Sequence, residues 1–358
     1  MKNQIELFKN QLENTINMNS QEFSKNLNNQ LNAEKLGYNN SSNETIFKGS
    51  NFIDDTFKND LDKIWIDNNL DFDAVKAPLF YKGVNGELIE VKDHNAIIHN
   101  KNNNLLNIPK LQYTTLQLST IKQLIQSIRA NTTIESIMNV DDKRFVFNLS
   151  VDNAIEDVKK DDPHKLRLII VSSHDSSVSC HISFIHFRMQ CFNQMNMLKM
   201  SQPLVFKHTK SINDNVNNIN RIIDFNRGQF TKSINDYKQM IRKEVNDNEI
   251  RFVLEKLFYD KYNNKKVCID RVQKLERDKT YLDLVEVKQI KENLEREFEQ
   301  HGKNAYALAN GINYYYNHQM GASNIKDEST KARIRMEQNY YGKNSSIIDR
   351  SKELCMSL

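Results

Sequence analysis

The sequence between residues 144 and 188 reads RFVFNLSVDNAIEDVKKDDPHKLRLIIVSSHDSSVSCHISFIHFR. Apolar and polar residues alternate strictly over 144–152, which is the pattern of a strand with one buried face. The apolar side of that strand consists of Phe145, Phe147, Leu149 and Val151. Two further β-prone runs, 166–173 and 178–188, lie on either side of the polar residues 174–177. They predict a β-hairpin with a polar tip.

Side-chain alternation along the second of these strands separates its histidines. If 178–188 is one strand, His186 and Arg188 lie on one face together with Val178, Cys180, Ile182 and Phe184. His181 then points to the opposite face. The histidines of this strand are therefore not expected to converge on one point.

Helical and hairpin patterns surround this segment. Apolar residues recur every three or four positions within 3–36, 53–65 and 115–129, and again from about residue 213 onward, which predicts amphipathic helices. The run 79–91 predicts a hairpin that turns at Asn85-Gly86, and 96–108 is a candidate second hairpin.

These patterns predict an α+β fold, in which an antiparallel, hairpin-rich sheet core is flanked by N-terminal and C-terminal helices. We expect an N-terminal helical arm over residues 1–43 that serves oligomer or partner contacts. An α+β core follows over 44–212 and a helical region over 213–325. A polar, mobile tail is expected over 326–358.

Composition excludes several classes of protein. The chain has 358 residues and four cysteines, Cys180, Cys191, Cys268 and Cys355, with no CxxC pair. A disulfide framework and a zinc knuckle are therefore not indicated, and a reducing cytoplasm fits best. The N-terminus has no apolar run typical of a signal peptide, and no segment is long and apolar enough to span a membrane.

Charge is distributed unevenly along the chain. The net charge is +4; residues 1–206 carry 22 basic and 24 acidic groups, whereas residues 207–358 carry 28 and 22. A polyanionic partner would therefore favour the second half.

The region 172–211 contains an unusual ordered set of polar residues. A strand leads into His174, Asp175 and Ser177; the next strand ends in Arg188, and Cys191 and Asn193 follow; a basic element then contains His208 and Thr209. A later stretch, NAYALANGINYYYNHQM at 304–320, contributes Asn310, Tyr314 and His318. Both segments resemble the phage/plasmid-like family of prophage and conjugative-plasmid proteins. This sequence departs from the family pattern at Ser176, usually Gly, at Gln194, usually small or hydroxylated, and at Asn317, usually Asp.

The resemblance implies a DNA-binding protein of a mobile element. We expect it to bind single-stranded DNA and to promote annealing in recombination or replication, in outline like the Rad52-like annealing proteins, without ATP or another cofactor. A homo-oligomer is expected. The expected nucleic-acid contacts are Arg188, Lys207, His208, Lys210 and Arg221, because basic groups neutralise phosphates.

The alternative is an enzyme. The cluster His174, Asp175, Arg188, Cys191 and His208 contains the residue types of a metal- or cysteine-dependent hydrolase or nuclease. Neither GxxxxGK[ST] nor GxGxxG occurs in the chain, which disfavours an ATP-driven or a dinucleotide-dependent enzyme. The structural alternative is that His174 and Asp175 only hold the hairpin turn by hydrogen bonds.

Overall fold

The structure is a computed structural model. It describes residues 50–53, 58–191, 193–198, 204–205, 212–263, 285–320, 325–327, 330, 334, 336–340 and 344–358. The proposed arm over residues 1–43 lies outside these ranges, as do Lys207, His208, Thr209 and Lys210.

A seven-stranded antiparallel sheet forms the centre of the fold. Its strands are β1 (Ser50–Phe52), β5 (Thr132–Val140), β6 (Arg144–Lys159), β7 (Asp162–Ser173), β8 (His181–Arg188), β9 (Gln194–Met197) and β10 (Leu204–Val205). Their order is β1-β5-β6-β7-β8-β10, and β9 also pairs with β8. The predicted strand at 144–152 and the predicted hairpin are confirmed as β6 and as β7–β8.

The two faces of this sheet are covered differently. Phe145, Phe147, Leu149 and Val151 lie in the main core together with residues of the helices, as their alternation predicted. The opposite face packs a smaller cluster that includes Val146, Ile185 and Phe187 with Tyr340. Every residue of β7 is buried, because both of its faces are covered.

A smaller sheet contains β2 (Ala74–Lys82), β3 (Leu88–His99) and β4 (Leu105–Asn107). Gly86 has φ +88°, a left-handed conformation that glycine adopts without a Cβ clash, so the predicted turn at Asn85-Gly86 is confirmed. The candidate second hairpin is also confirmed, as the antiparallel pair β3–β4. Near the β2–β3 turn, Phe80, Tyr81 and Leu88 are exposed.

Among the described residues, two helices precede strand β5. Helix α1 (Leu61–Asp67) begins after Asp60, whose side chain accepts a hydrogen bond from Lys63 N. It begins later than the helix that we predicted over 53–65, because Asp60 caps its first turn, whereas Ile53 donates a backbone hydrogen bond to Glu135 on β5. Helix α2 (Leu118–Ile128) agrees with its predicted pattern and buries Leu118, Ile121, Leu124, Ile125 and Ile128.

The second half is helical, as its periodicity predicted. It contains α3 (Ile212–Ile241), α4 (Asp247–Asn263), α5 (Val285–His301), α6 (Ala305–Tyr314) and α7 (Ser345–Ser357). Residues 326–358, expected to be a polar and mobile tail, differ from that expectation, because α7 buries Ile348, Leu354 and Cys355 in the main core. That core is shared by strands and helices, and the boundaries between the proposed domains stay a prediction.

Helices α5 and α6 approach each other at Gly311. A Cβ atom added there would lie 2.6 Å from Leu294 Cδ2 and 3.1 Å from both the Cα and the N of Leu294. We expect Gly311→Ala to lower the free energy of unfolding by about 1–3 kcal/mol, since a backbone would have to move. Denaturant titration measures the effect.

Gly228, in α3, is the matched control. A Cβ added there would meet nothing within 4 Å. Gly228→Ala should therefore raise stability by about 0.5–1 kcal/mol through its helix propensity. Equal effects of the two substitutions would contradict close packing at Gly311.

Candidate functional site

The polar tip of the β7–β8 hairpin is held by local contacts. His174 is buried, and its Nε2 lies 3.2 Å from the carbonyl oxygen of Leu116. Burial lowers the pKa of His174 to about 4. Asp175 accepts from Ser177 N at 3.0 Å and pairs with Arg144 at 2.6 Å, while Ser177 Oγ accepts from Arg144 Nε at 2.9 Å. Asp175 thus has the turn-stabilising role that the structural alternative gave it.

Arg188 and Cys191 lie at the other end of the same hairpin. Arg188 pairs with His164 at the start of β7, whereas His174 follows the end of that strand. The ten residues that separate His164 from His174 correspond to roughly 33 Å of extended chain. The expectation that His174, Asp175, Arg188 and Cys191 form one cluster is therefore wrong.

Arg188 is fully buried between two carboxylates. Its Nε donates to Asp162 Oδ1 at 2.8 Å, and its Nη1 donates to both carboxylate oxygens of Glu297 at 3.1 Å. Its Nη2 donates to Gln190 Oε1 at 3.0 Å and lies 2.6 Å from His301 Nε2. The expectation that Arg188 contacts DNA phosphate does not agree with this position, because its charge is already neutralised inside the core.

The carboxylates stay ionised beside Arg188. Burial by itself would raise the pKa of Asp162, but the Arg188 guanidinium and a hydrogen bond from His164 outweigh burial and hold that pKa well below its usual value. Burial opposes the charged form of Arg188 too, yet Asp162 and Glu297 raise its pKa well above the ordinary value. The three groups therefore form a charged cluster in the core.

A chain of hydrogen bonds runs from this cluster into the helices. Tyr306 Oη donates to Asp162 Oδ2 at 2.5 Å and lies 3.0 Å from His164 Nε2. His164 Nδ1 is 2.7 Å from His186 Nε2, and His186 Nδ1 is 2.8 Å from Ser233 Oγ. We call Asp162, Tyr306, His164, His186 and Ser233 the buried polar chain.

The protons of this chain point in one direction. Because Asp162 is a carboxylate, the Tyr306 hydroxyl must be the donor between them, and His164 Nε2–H then donates to Tyr306 Oη. Burial lowers the pKa of His164, and burial together with His164 and Lys352 lowers that of His186 well below its ordinary value, so both rings are neutral. His164 Nδ1 therefore accepts from His186 Nε2–H. His186 Nδ1 is therefore an acceptor, and Ser233 Oγ lies 2.8 Å from it.

The end of the chain opens onto a cavity between α3 and α7. Ser233 helps to line this cavity of about 370 Å³. Lys352 Nζ donates to Ser233 Oγ at 3.1 Å and to Asp236 Oδ2 at 3.0 Å. Ser233 Oγ also has Asn196 Oδ1 as an acceptor for its proton, at 3.0 Å. The buried polar chain thus joins the Arg188 cluster to a surface cavity.

The two segments that carried the family resemblance meet in space. Asn193 Oδ1 lies 3.0 Å from His318 Nε2, and Asn193 Nδ2 donates to the backbone oxygen of Asn310 at 3.4 Å. The Tyr314 and His318 ring centroids are 4.4 Å apart. Asn317, at the position where an acid was expected, instead pairs with the backbone of Gln194 on β9 through its amide. Through these contacts, α6 and the turn after it pack against the end of the sheet.

Cys191 does not have the character of a nucleophile. It is fully buried, and Arg188 Nη1 lies 3.4 Å from its Sγ. Burial raises the pKa of the Cys191 thiol to about 12, although the Arg188 charge acts in the opposite direction. A neutral thiol is a poor nucleophile. Within the residues that the structure describes, no three His, Cys, Asp or Glu side chains are grouped to hold a metal ion.

A family model described as a domain of unknown function, DUF932, matches residues 106–338. The chain belongs to the DUF932 family. The DUF932 match includes β5–β8, α3, α5 and α6, and with them the Arg188 cluster and the whole buried polar chain. It ends before α7, which supplies Lys352. No curated protein and no solved structure matches the chain significantly.

Most residues of the Arg188 cluster and of the buried polar chain in this DUF932 member were not predicted from the sequence. They are Asp162, His164, Ser233, Glu297, His301 and Tyr306. The one usable signal was the pair of histidines on apolar strands, because a buried histidine requires polar partners. His186 and Arg188 do share the face of Ile182 and Phe184, as alternation predicted, whereas Val178 packs on the opposite side.

A second surface, part of which lies within the DUF932 match, combines amide groups with both basic and acidic side chains. An open groove of about 870 Å³ at α2 is lined by Asn59, Asp60, Leu61, Asp62, Lys122, Gln123, Gln126, Ser127 and Arg129. Arg129 donates to neutral acceptors, the oxygen of Lys58 at 3.0 Å and two side-chain amides at 3.4 Å. Asn131, two residues further, donates to Asn220 on α3 at 3.1 Å. The groove therefore adjoins the part of α3 that carries Arg221.

None of the helices in the described ranges is long and apolar enough to cross a membrane.

Proposed function

We propose that this DUF932 protein binds single-stranded DNA without ATP, with little sequence preference. The observation that supports this most directly is the open groove at α2, which is lined by side-chain amides, Arg129 and the Lys122–Asp62 ion pair and lies beside the part of α3 that carries Arg221. Amide and guanidinium groups donate hydrogen bonds to phosphates and bases, and an open groove can follow an extended strand.

The exposed residues of α3 extend this surface. Arg221 is exposed, and Phe225, one helical turn later, is 47% exposed. Residues four positions apart lie on the same side of a helix, so a guanidinium and an aromatic ring are presented together. That combination suits phosphate neutralisation with base stacking. Lys207, His208 and Lys210 come shortly before α3 in sequence and would add positive charge.

The resemblance to phage/plasmid-like proteins suggests the process. We propose a role in strand annealing during recombination or replication of a mobile element, in the manner of the Rad52-like annealing proteins, and within the cytoplasm. A homo-oligomer fits this role, because annealing proteins bring two strands together on one surface. The cysteines are consistent with a reducing compartment, since Cys180, Cys191 and Cys355 are free and buried.

Reversing three charges should weaken binding. We expect the triple variant Lys207→Glu, Lys210→Glu and Arg221→Glu to bind a long single-stranded oligonucleotide at least tenfold more weakly, which is about 1.4 kcal/mol. The wild-type affinity should fall as salt rises, because phosphate contacts release counterions. Fluorescence anisotropy of a labelled oligonucleotide, at low and at physiological salt, measures both effects.

A second variant tests the groove itself. Gln123→Glu with Gln126→Glu places two negative charges at α2, and it should also weaken binding. The matched control reverses the exposed charges Lys160, Arg242 and Lys256, which lie away from the groove lining. Absence of wild-type binding at low salt, or an equal loss in the control, would reject the proposed function.

A further inference from the structure

Ser233 has an unusual environment for a serine within a helix. Such serines commonly bond back to a carbonyl of their own helix. The Ser233 hydroxyl instead contacts three other elements: it lies 2.8 Å from His186 Nδ1 on β8, has Asn196 Oδ1 on β9 as a second acceptor at 3.0 Å, and accepts from Lys352 Nζ on α7 at 3.1 Å. Its side chain also reaches the cavity between α3 and α7.

The direction of the buried polar chain gives these contacts a chemical meaning. His186 Nε2 is committed as a donor to His164, so His186 Nδ1 is an acceptor for the single Ser233 proton, at 2.8 Å, while Asn196 Oδ1 is the other, at 3.0 Å. His164 is fixed in turn by Tyr306 and Asp162. A hydroxyl bonded to a neutral imidazole, which is itself oriented by a further group, is the arrangement of a nucleophile and its general base.

The charges around the cavity restrict the charge that a substrate can carry. Lys352 lies next to the Ser233 oxygen, where an ammonium can stabilise a developing oxyanion. Among the described residues, the cavity lining contains three carboxylates, Asp236, Asp349 and Glu353, and two lysines, Lys232 and Lys352. An excess of carboxylates disfavours a phosphate or another anionic substrate. A volume of about 370 Å³ suits a small molecule.

We propose that Ser233 is the nucleophile of a second, hydrolytic site that cleaves small, uncharged carboxylic esters. Ser233 Oγ attacks the carbonyl carbon, and its proton passes to His186 Nδ1. When the ester C–O bond breaks, the leaving alkoxide takes that proton from His186 and departs as an alcohol. Water then attacks the acyl group on Ser233, giving one proton to His186, which returns it to Ser233 as the acid is released. His164, Tyr306 and Asp162 are positioning residues.

The test uses the full chain and a serine-directed fluorophosphonate probe. Attack by Ser233 on phosphorus would expel fluoride and leave a stable adduct, which peptide mass spectrometry locates. We expect the adduct on Ser233 and a loss of labelling in Ser233→Ala. Hydrolysis of p-nitrophenyl acetate should fall at least tenfold in the same variant. The matched control is Ser119→Ala, at an exposed serine of α2, which should leave both signals unchanged.

His186→Gln separates chemistry from structure. Glutamine can keep a hydrogen bond to Ser233 but is not a base, so labelling should slow at least tenfold while Ser233 remains in place. If His186→Gln does not fold, the labelling of the wild-type protein decides alone. Folded wild-type protein that stays unlabelled, a label spread over other serines, or undiminished labelling and hydrolysis in Ser233→Ala would each overturn the proposal.

Discussion

Replacing Arg188 by methionine is expected to lower the free energy of unfolding by about 3–5 kcal/mol, the usual cost of removing one partner from a buried ion pair. Asp162 and Glu297 are both fully buried against Arg188. Without the guanidinium, each carboxylate must either remain charged without a cation or take up a proton. Methionine retains most of the side-chain volume, so the loss would report charge more than packing. Denaturant titration at neutral pH gives the value.

Two further variants make this prediction specific. Arg221→Met removes an exposed arginine and should change stability by less than about 0.5 kcal/mol. Glu297→Gln in the Arg188→Met background removes one of the stranded carboxylates and should restore part of the lost stability. If the double variant were less stable than Arg188→Met by the full cost of Glu297→Gln alone, the two residues would not be coupled.

Strands β6 to β8 could be predicted because packing fixes the side of the strand on which each residue must lie. A one-residue slip would turn Phe145 and Phe147 away from the main core, so alternation in the sequence predicts which face meets that core, although the opposite face of β6 is buried too. The contact between Asn193 and His318, 125 positions away, was not predicted, although the family resemblance singled out both residues. No local pattern connects them.

The Arg188 cluster could not be predicted, because its members look ordinary in sequence. Asp161 and Asp162 read as turn residues between two strands, and Asp161 does have φ +61° in that turn. Asp162 instead points inward and is fully buried. Glu297 lies 109 positions from Arg188, in a helix whose other glutamates face solvent in the usual way. Only the docking of α5 on the sheet end brings the charges together.

Helix α7 shows that composition alone does not predict whether a segment packs into the core. Its sequence, SSIIDRSKELCMS, has few apolar residues, and the surrounding segment is polar, which is why a mobile tail was expected. The buried residues Ile348, Leu354 and Cys355 nevertheless lie on one side of the helix. Ser351, between them, is buried too, and its hydroxyl bonds to Asn313 Oδ1 at 3.1 Å. A polar helix can therefore pack when its few polar contacts are satisfied.

Mild acid should destabilise the folded protein strongly. Burial lowers the pKa of His164, of His186 and of His301, whose value falls to about 2. The unfolded chain takes up a proton at each of these residues below pH about 6.5, which the folded protein does not. Their contribution to stability is therefore complete above pH about 6.5 and is lost as the pH falls below it.

The expected size follows from the same linkage. A histidine that stays neutral in the folded state, as His301 does, costs about 2 kcal/mol of stability by pH 5, and His164 and His186 act in the same direction. A folded domain typically has about 5–15 kcal/mol of stability. His174, with its pKa at about 4, adds to the loss in the same range. The stabilisation that the Asp162 carboxylate gives is lost only below its ordinary pKa, which lies outside this pH window.

Denaturant titrations at constant ionic strength between pH 8 and pH 5 measure how steeply the free energy of unfolding depends on pH. Stability should be flat above pH about 7.5 and should fall by at least about 1.4 kcal/mol per pH unit near pH 5. A loss below about 1 kcal/mol across the whole range would mean that these histidines are protonated in the folded protein and that the proton order of the buried polar chain is different.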